Sequence, residues 1–167
     1  MRIVIAAPWH AIFVHFTVAL TFTSFVFDLA GALLDQVPLS TSAWWMLAAA
    51  AVMTFGTVVS GVVSRARLPV EEGAARSYLR GHMAIGPMVL GLLLVVLTWR
   101  AGFWQRGAIA PWSYLAAAAG LLILVTVQGY LGGELVYRFG CEVRGRFTPL
   151  PSTRAGRGPG VTPERRS

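Results

Sequence analysis

Four long apolar runs, at 11–34, 44–64, 83–99 and 112–133, are separated by short breaks rich in proline, glycine or charge. A helix crosses the hydrocarbon core with roughly 20 residues; the third run is the shortest and is completed by His82 and its neighbours. None of the runs alternates polar with apolar as barrel strands do. The first run is too long for a cleavable signal, whose apolar stretch is about 7–15 residues, and reads as a retained helix. The pattern predicts an all-α integral membrane four-helix bundle, up-down-up-down, with helices over about 9–34, 43–64, 82–99 and 112–133. A transmembrane domain over 1–144 would then carry a tail over 145–167.

Polar positions inside the runs carry further information. At about 100° per residue, His10, Thr17, Thr21, Ser24, Asp28, Gly31 and Asp35 fall in one narrow stripe of the first helix, which should face protein rather than lipid. Asp28 is the only acid well inside an apolar run; it reads either as a proton acceptor or as a residue that hydrogen-bonds Ser or Thr neighbours and holds the bundle together. Met53, Gly56, Thr57, Ser60, Gly61 and Ser64 give the second helix a small-residue face suited to close packing. In the third, His82, Ile85, Gly86, Val89, Leu93 and Val96 form an apolar face, and nothing there continues the polar stripe, which counts against a through-membrane proton path. The fourth ends in Gly129, Gly132 and Gly133, with GxxxG spacing between the first and last.

Composition agrees with the bilayer: 56% of residues are hydrophobic and 13% charged, where soluble domains have about 25% charged. The net charge of +7 comes from arginine alone. Arg2, Arg65, Arg67, Arg76, Arg80, Arg138 and the tail arginines share one side of the bundle, against Arg100 and Arg106 on the other; by the positive-inside tendency both termini are cytoplasmic. Trp44, Trp45, Trp99, Trp104 and Trp112 then sit at the opposite interface, as indoles prefer. Pro69, Glu71 and Glu72 read as a helix start in the loop between the second and third runs. The tail is read as disordered and drawn to anionic lipid headgroups. The single Cys141 excludes an internal disulfide.

The chemistry centres on His10, His15 and His82, all at the cytoplasmic ends of their helices. In such a bundle the first and third helices run parallel and lie diagonally, an arrangement suited to a haem held by two imidazoles. His10 and His15, five residues apart, lie about 140° and about 7.5 Å apart, so they compete for His82 rather than sharing one small ion. A metal ion held by imidazoles with Glu134 or Glu72 is the second reading, and neutral interfacial histidines bonded to Ser60, Ser64 or Tyr137 the third. No nucleophile set, phosphate loop or clustered carboxylates mark an enzyme, and the basic tail lacks the aromatic interleaving of a nucleic-acid binder.

The stretch from His10 to Thr17, then His82, then Gly132-Gly133-Glu134-Leu135-Val136-Tyr137-Arg138-Phe139-Gly140 resembles the bacterial membrane-protein family known as domain of unknown function 2231. Its pattern is His-Pro-x-x-Val-His-Phe-Pro, a histidine near the third helix, and a late Gly-Gly-x-Leu-Val-Tyr-x-x-Gly. The spacing is kept over about 8–143. Ala11 and Thr17 replace the two prolines, Asp28 suits the pattern, and Ser64 stands where an acid is expected. The resemblance implies a four-helix protein of the bacterial inner membrane without an established activity, its histidines, Asp28, Gly132, Gly133 and Tyr137 forming the shared positions. Members joined to Rieske or cytochrome domains favour electron transfer through haem b; a non-catalytic membrane subunit and a metal-ion binding or transport protein are the alternatives.

Overall fold

The computed structural model describes residues 9–67 and 74–139, and the described residues form four helices: α1 (Trp9–Leu34), α2 (Val37–Arg67), α3 (Ala74–Trp104) and α4 (Trp112–Tyr137). All four are long and apolar enough to span a bilayer. The architecture is all-α, as the apolar runs predict. The basic tail, Cys141, and the Pro69–Glu72 helix start lie outside the described residues.

Three helices are longer than the hydropathy pattern suggests, α4 by one turn to Tyr137. α2 starts at Val37, before Trp44, because Pro38 in a first turn gives up an N–H that no helix would use there. α3 starts at Ala74 and runs past Trp99 to Trp104, so Arg76, Arg80 and Arg100 are helical, not loop, residues. Charged side chains end an apolar run without ending the helix that carries it.

The α1–α2 turn is almost as short as a turn can be. Asp35 adopts φ 54, the left-handed conformation, and Gln36 N–H donates to the Gly31 carbonyl at 2.9 Å, the closing bond of a Schellman motif. Gly31 is required by close approach: a Cβ there would lie 3.2 Å from the Gln36 carbonyl, the Ser40 nitrogen and the Ser40 hydroxyl. α3 ends in the same way, with Gly107 at φ 60 and Ala108 N–H donating to the Phe103 carbonyl at 2.9 Å.

Each helix packs against its neighbours in the order α1, α2, α3, α4 and back to α1, and the diagonal pairs make no close backbone approach. The inward faces follow spacings of three and four residues, the repeat of left-handed helix packing. Thr17, Thr21, Ser24, Asp28 and Gly31 are buried on α1, Val89, Leu93, Val96 and Arg100 on α3, and Tyr114, Ala118, Leu121 and Val125 on α4. The stripe of α1 therefore faces protein as far as Gly31, whereas Asp35, expected to be its last member, is exposed and lies past the helix end, where the chain turns into α2. The stripe docks on α2, where Ser24 donates to the Ala43 carbonyl at 2.8 Å and Thr54 donates to Thr17 at 3.4 Å. Phe22, Trp45, Val52, Phe55, Val95 and Ile123 are exposed. An exterior this apolar suits contact with lipid, into which such side chains lose no hydrophobic free energy.

Candidate functional site

At the end formed by the start of α1 and the C-terminal turns of α2 and α4, His10 and His82 meet across the α1/α3 diagonal. Their ring centroids are 6.3 Å apart and the planes are nearly perpendicular, at 78°. Glycines make this meeting possible. A Cβ at Gly61 would come within 3.1 Å of His10 Cε1, and one at Gly132 within 3.1 Å of His82 Cε1, so α2 and α4 each give up a side chain to seat a ring. The neighbouring Gly56 accepts the Phe13 ring in the same manner, at 3.1 Å.

Hydrogen bonds orient both rings. His10 Nδ1 lies 3.1 Å from the Thr57 carbonyl and 3.2 Å from Ser60 Oγ. A carbonyl only accepts, so in the neutral ring Nδ1 carries the proton and Nε2 keeps its lone pair. That division of labour is the one found in metal-bound histidines, whose second nitrogen donates to a backbone carbonyl or carboxylate. On the other ring, the Gln128 amide nitrogen donates to the His82 carbonyl at 3.0 Å and approaches His82 Nε2 at 3.3 Å.

The rings open into a cavity of about 440 Å³ bounded by all four helices, within the usual ~300–1,000 Å³ of small-molecule sites. Valines, Met83, Pro87 and glycines make up most of its wall. His15 lies at its margin, exposed, with Nδ1 donating to the Ala11 carbonyl of its own helix at 2.6 Å.

A second polar centre occupies the opposite end of the bundle. Asp28 and Arg100 are both fully buried. Arg100 Nε donates to both carboxylate oxygens at 3.1 and 3.2 Å, and Nη2 lies 3.0 Å from Oδ1. Nη2 also donates to the Ser40 carbonyl, and the Ser40 hydroxyl donates to Asp28 at 2.9 Å. Tyr114 of α4 completes the group, its ring centroid 5.9 Å from the guanidinium carbon. One residue from each helix thus joins a single buried node. Trp44 and Trp104 stack beyond it, centroids 4.2 Å apart, with Trp45 edge-on to both.

A family model described as a predicted membrane protein, DUF2231, matches residues 6–145. The chain belongs to this family. No curated protein and no solved structure matches it. What membership establishes is a multi-pass membrane protein in contact with the lipid bilayer, in a family without an assigned activity.

Set on the structure, the residues shared with the DUF2231 pattern fall into separate places. His10 and His82 come together, and His15 stays at the cavity margin, exposed and bonded within its own helix. Asp28 is at the far end. Gly132 seats a ring, whereas Gly133 meets only Tyr137 of its own helix, and Tyr137 is almost wholly exposed. Among the described residues nothing lies within 4 Å of a Cβ position at Gly129, so the GxxxG spacing brings no other described helix close there. Glu134 pairs with Arg138 at 3.4 Å, and among the described residues no three His, Cys, Asp or Glu side chains converge on a metal-sized site. Glu72 lies outside the described residues.

Two corrections follow. Arg100, which the charge pattern places with the loop arginines of its side, is a buried ion-pair partner. The inward face of α3 does carry a polar residue, because the steps from Val89 through Leu93 and Val96 end on Arg100. Gln128 was also missed: it follows Tyr114, Ala118, Leu121 and Val125 by the same spacing, and that repeat was the signal that could have found it.

Proposed function

We propose that this DUF2231 protein binds haem b between His10 and His82 and carries electrons within the membrane. The observation that carries the reading is the diagonal imidazole pair. His10 and His82 would be the residues that hold the iron, their ring centroids 6.3 Å apart across the diagonal. His10 offers a free Nε2 lone pair, held in place by Thr57 and Ser60. His82 would have to exchange its Gln128 contact for the ligand. The apolar cavity suits a macrocycle, and the glycines at Gly61 and Gly132 allow the rings to lie along its axis. Bound there, the iron would supply one-electron chemistry, while the protein sets its potential through the two imidazoles and the burial around them.

The test is the visible spectrum of protein expressed with haem supply and purified in mild detergent. Expected is a stoichiometric low-spin spectrum with a Soret band that shifts on reduction. His10→Ala and His82→Ala should each abolish that spectrum, and His15→Ala should retain it. Wild-type protein without haem, or variants indistinguishable from wild type, would overturn the assignment.

A further inference from the structure

We infer that Arg65 forms a carboxylate-binding subsite at the histidine end of the cavity, so that the cavity takes an apolar ligand bearing an acid group. The inference rests on the haem reading for the identity of that ligand and on the cavity itself for its chemistry. Among the described residues that line the cavity, Arg65 is the only one with a permanent charge, and no acid lines it. Most of the remaining wall is apolar, with the histidines, threonines, Ser64 and Gln128 among its polar groups.

Position along α2 strengthens the case. Arg65 follows Gly61, which seats the His10 ring, by four residues. That step is about 6 Å of rise and about 40° of rotation, so Arg65 stands one turn beyond the imidazole axis on the same face of the helix. A ligand body held against His10 would place a short acid-bearing arm beside the guanidinium. The side chain is half-buried, and among the described residues it takes part in neither of the two ion pairs, Asp28–Arg100 and Glu134–Arg138. An arginine with no carboxylate partner among the described residues, at the edge of such a cavity, is matched by a carboxylate on the occupant, through paired charge-assisted hydrogen bonds. The two propionates of haem b meet that requirement; a bare metal ion or an uncharged lipid-soluble ring does not.

Metal-free protoporphyrin IX separates this inference from histidine ligation, since it carries the acids and lacks the iron. Its binding to the full-length protein in mild detergent is followed by fluorescence, in parallel with its dimethyl ester, for wild type, Arg65→Met and Arg65→Lys. Wild type should bind the diacid on the order of 10-fold more tightly than the ester, once corrected for partition into detergent. Arg65→Met should lose that preference, and Arg65→Lys should keep part of it. Equal discrimination by wild type and Arg65→Met, or failure of wild type to bind the diacid, would overturn the subsite. If the porphyrin preference holds while haem gives no bis-imidazole spectrum, the subsite stands and the ligation reading falls. The reverse result, a bis-imidazole spectrum unaltered in affinity by Arg65→Met, removes the subsite alone.

Discussion

Replacing Arg100 by Met removes the guanidinium while keeping a long apolar stem in its place. Asp28, fully buried, would then retain the Ser40 hydroxyl at 2.9 Å and the neutral Tyr114 hydroxyl, with no cation beside it. Three N–H contacts to the carboxylate and one to the Ser40 carbonyl disappear together. Breaking one side of a buried ion pair costs about 3–5 kcal/mol, which at roughly 2–4 °C per kcal/mol for a chain of this size lowers the melting temperature by about 10 °C. Asp28→Leu should cost a similar amount by stranding the arginine. The double variant Asp28→Leu/Arg100→Met removes both charges, and with them the desolvation each charge incurs, so it should lie within about 2 kcal/mol of wild type. Reversible unfolding of all four proteins in one detergent gives the coupling as a double-mutant cycle. Additive losses would refute the reasoning, because they would mean that the two side chains act through separate neighbours and that no net interaction links α1 to α3.

Three further expectations test smaller contacts. Gly31→Ala should lose about 1–3 kcal/mol in the same unfolding assay, since its Cβ meets backbone atoms of Gln36 and Ser40 at 3.2 Å and neither can move aside. Asp35→Val should cost about 1–2 kcal/mol and Asp35→Gly about 0.5 kcal/mol or less, because a β-branched residue resists a φ of 54 that glycine adopts freely. Gly132→Ala should leave stability within about 1 kcal/mol of wild type, given a tolerant ring edge as its neighbour, yet under the proposed haem ligation reduce haem content several-fold by displacing His82, whose Cε1 lies 3.1 Å from the new methyl; unchanged haem content would show that the ring's position does not matter.

The helix count and the inward stripe of α1 were legible because both are periodic signals: length sets the crossings, and a step of three or four residues sets the face. Helix ends were not, since Arg76, Arg80 and Arg100 continue helices that hydropathy alone cuts short. The pairing of Asp28 with Arg100 joins residues 72 positions apart, and neither position announces its partner. The information was present only in combination: both residues lie near the C-terminal ends of helices that run parallel, so they share a depth. Choosing His10 over His15 as the partner of His82 needed the tilt and rotation of α1, which follow from how its threonines and Ser24 dock on α2. Gln128 escaped notice because an amide in an otherwise apolar helix carries no charge to mark it.

The two diagonal contacts differ in kind. Asp28 and Arg100 tie the α1–α2 hairpin to the α3–α4 hairpin at one end with charged bonds, while His10 and His82 face each other at the other with no direct bond between their rings. The hairpins are thus pinned by charge at the ion pair and joined elsewhere by the side-chain packing of α2 on α3 and α1 on α4. From Asp28 to His10 is 18 residues of helix, a lever of about 27 Å. A relative tilt of about 2° at the pin corresponds to about 1 Å at the histidine end.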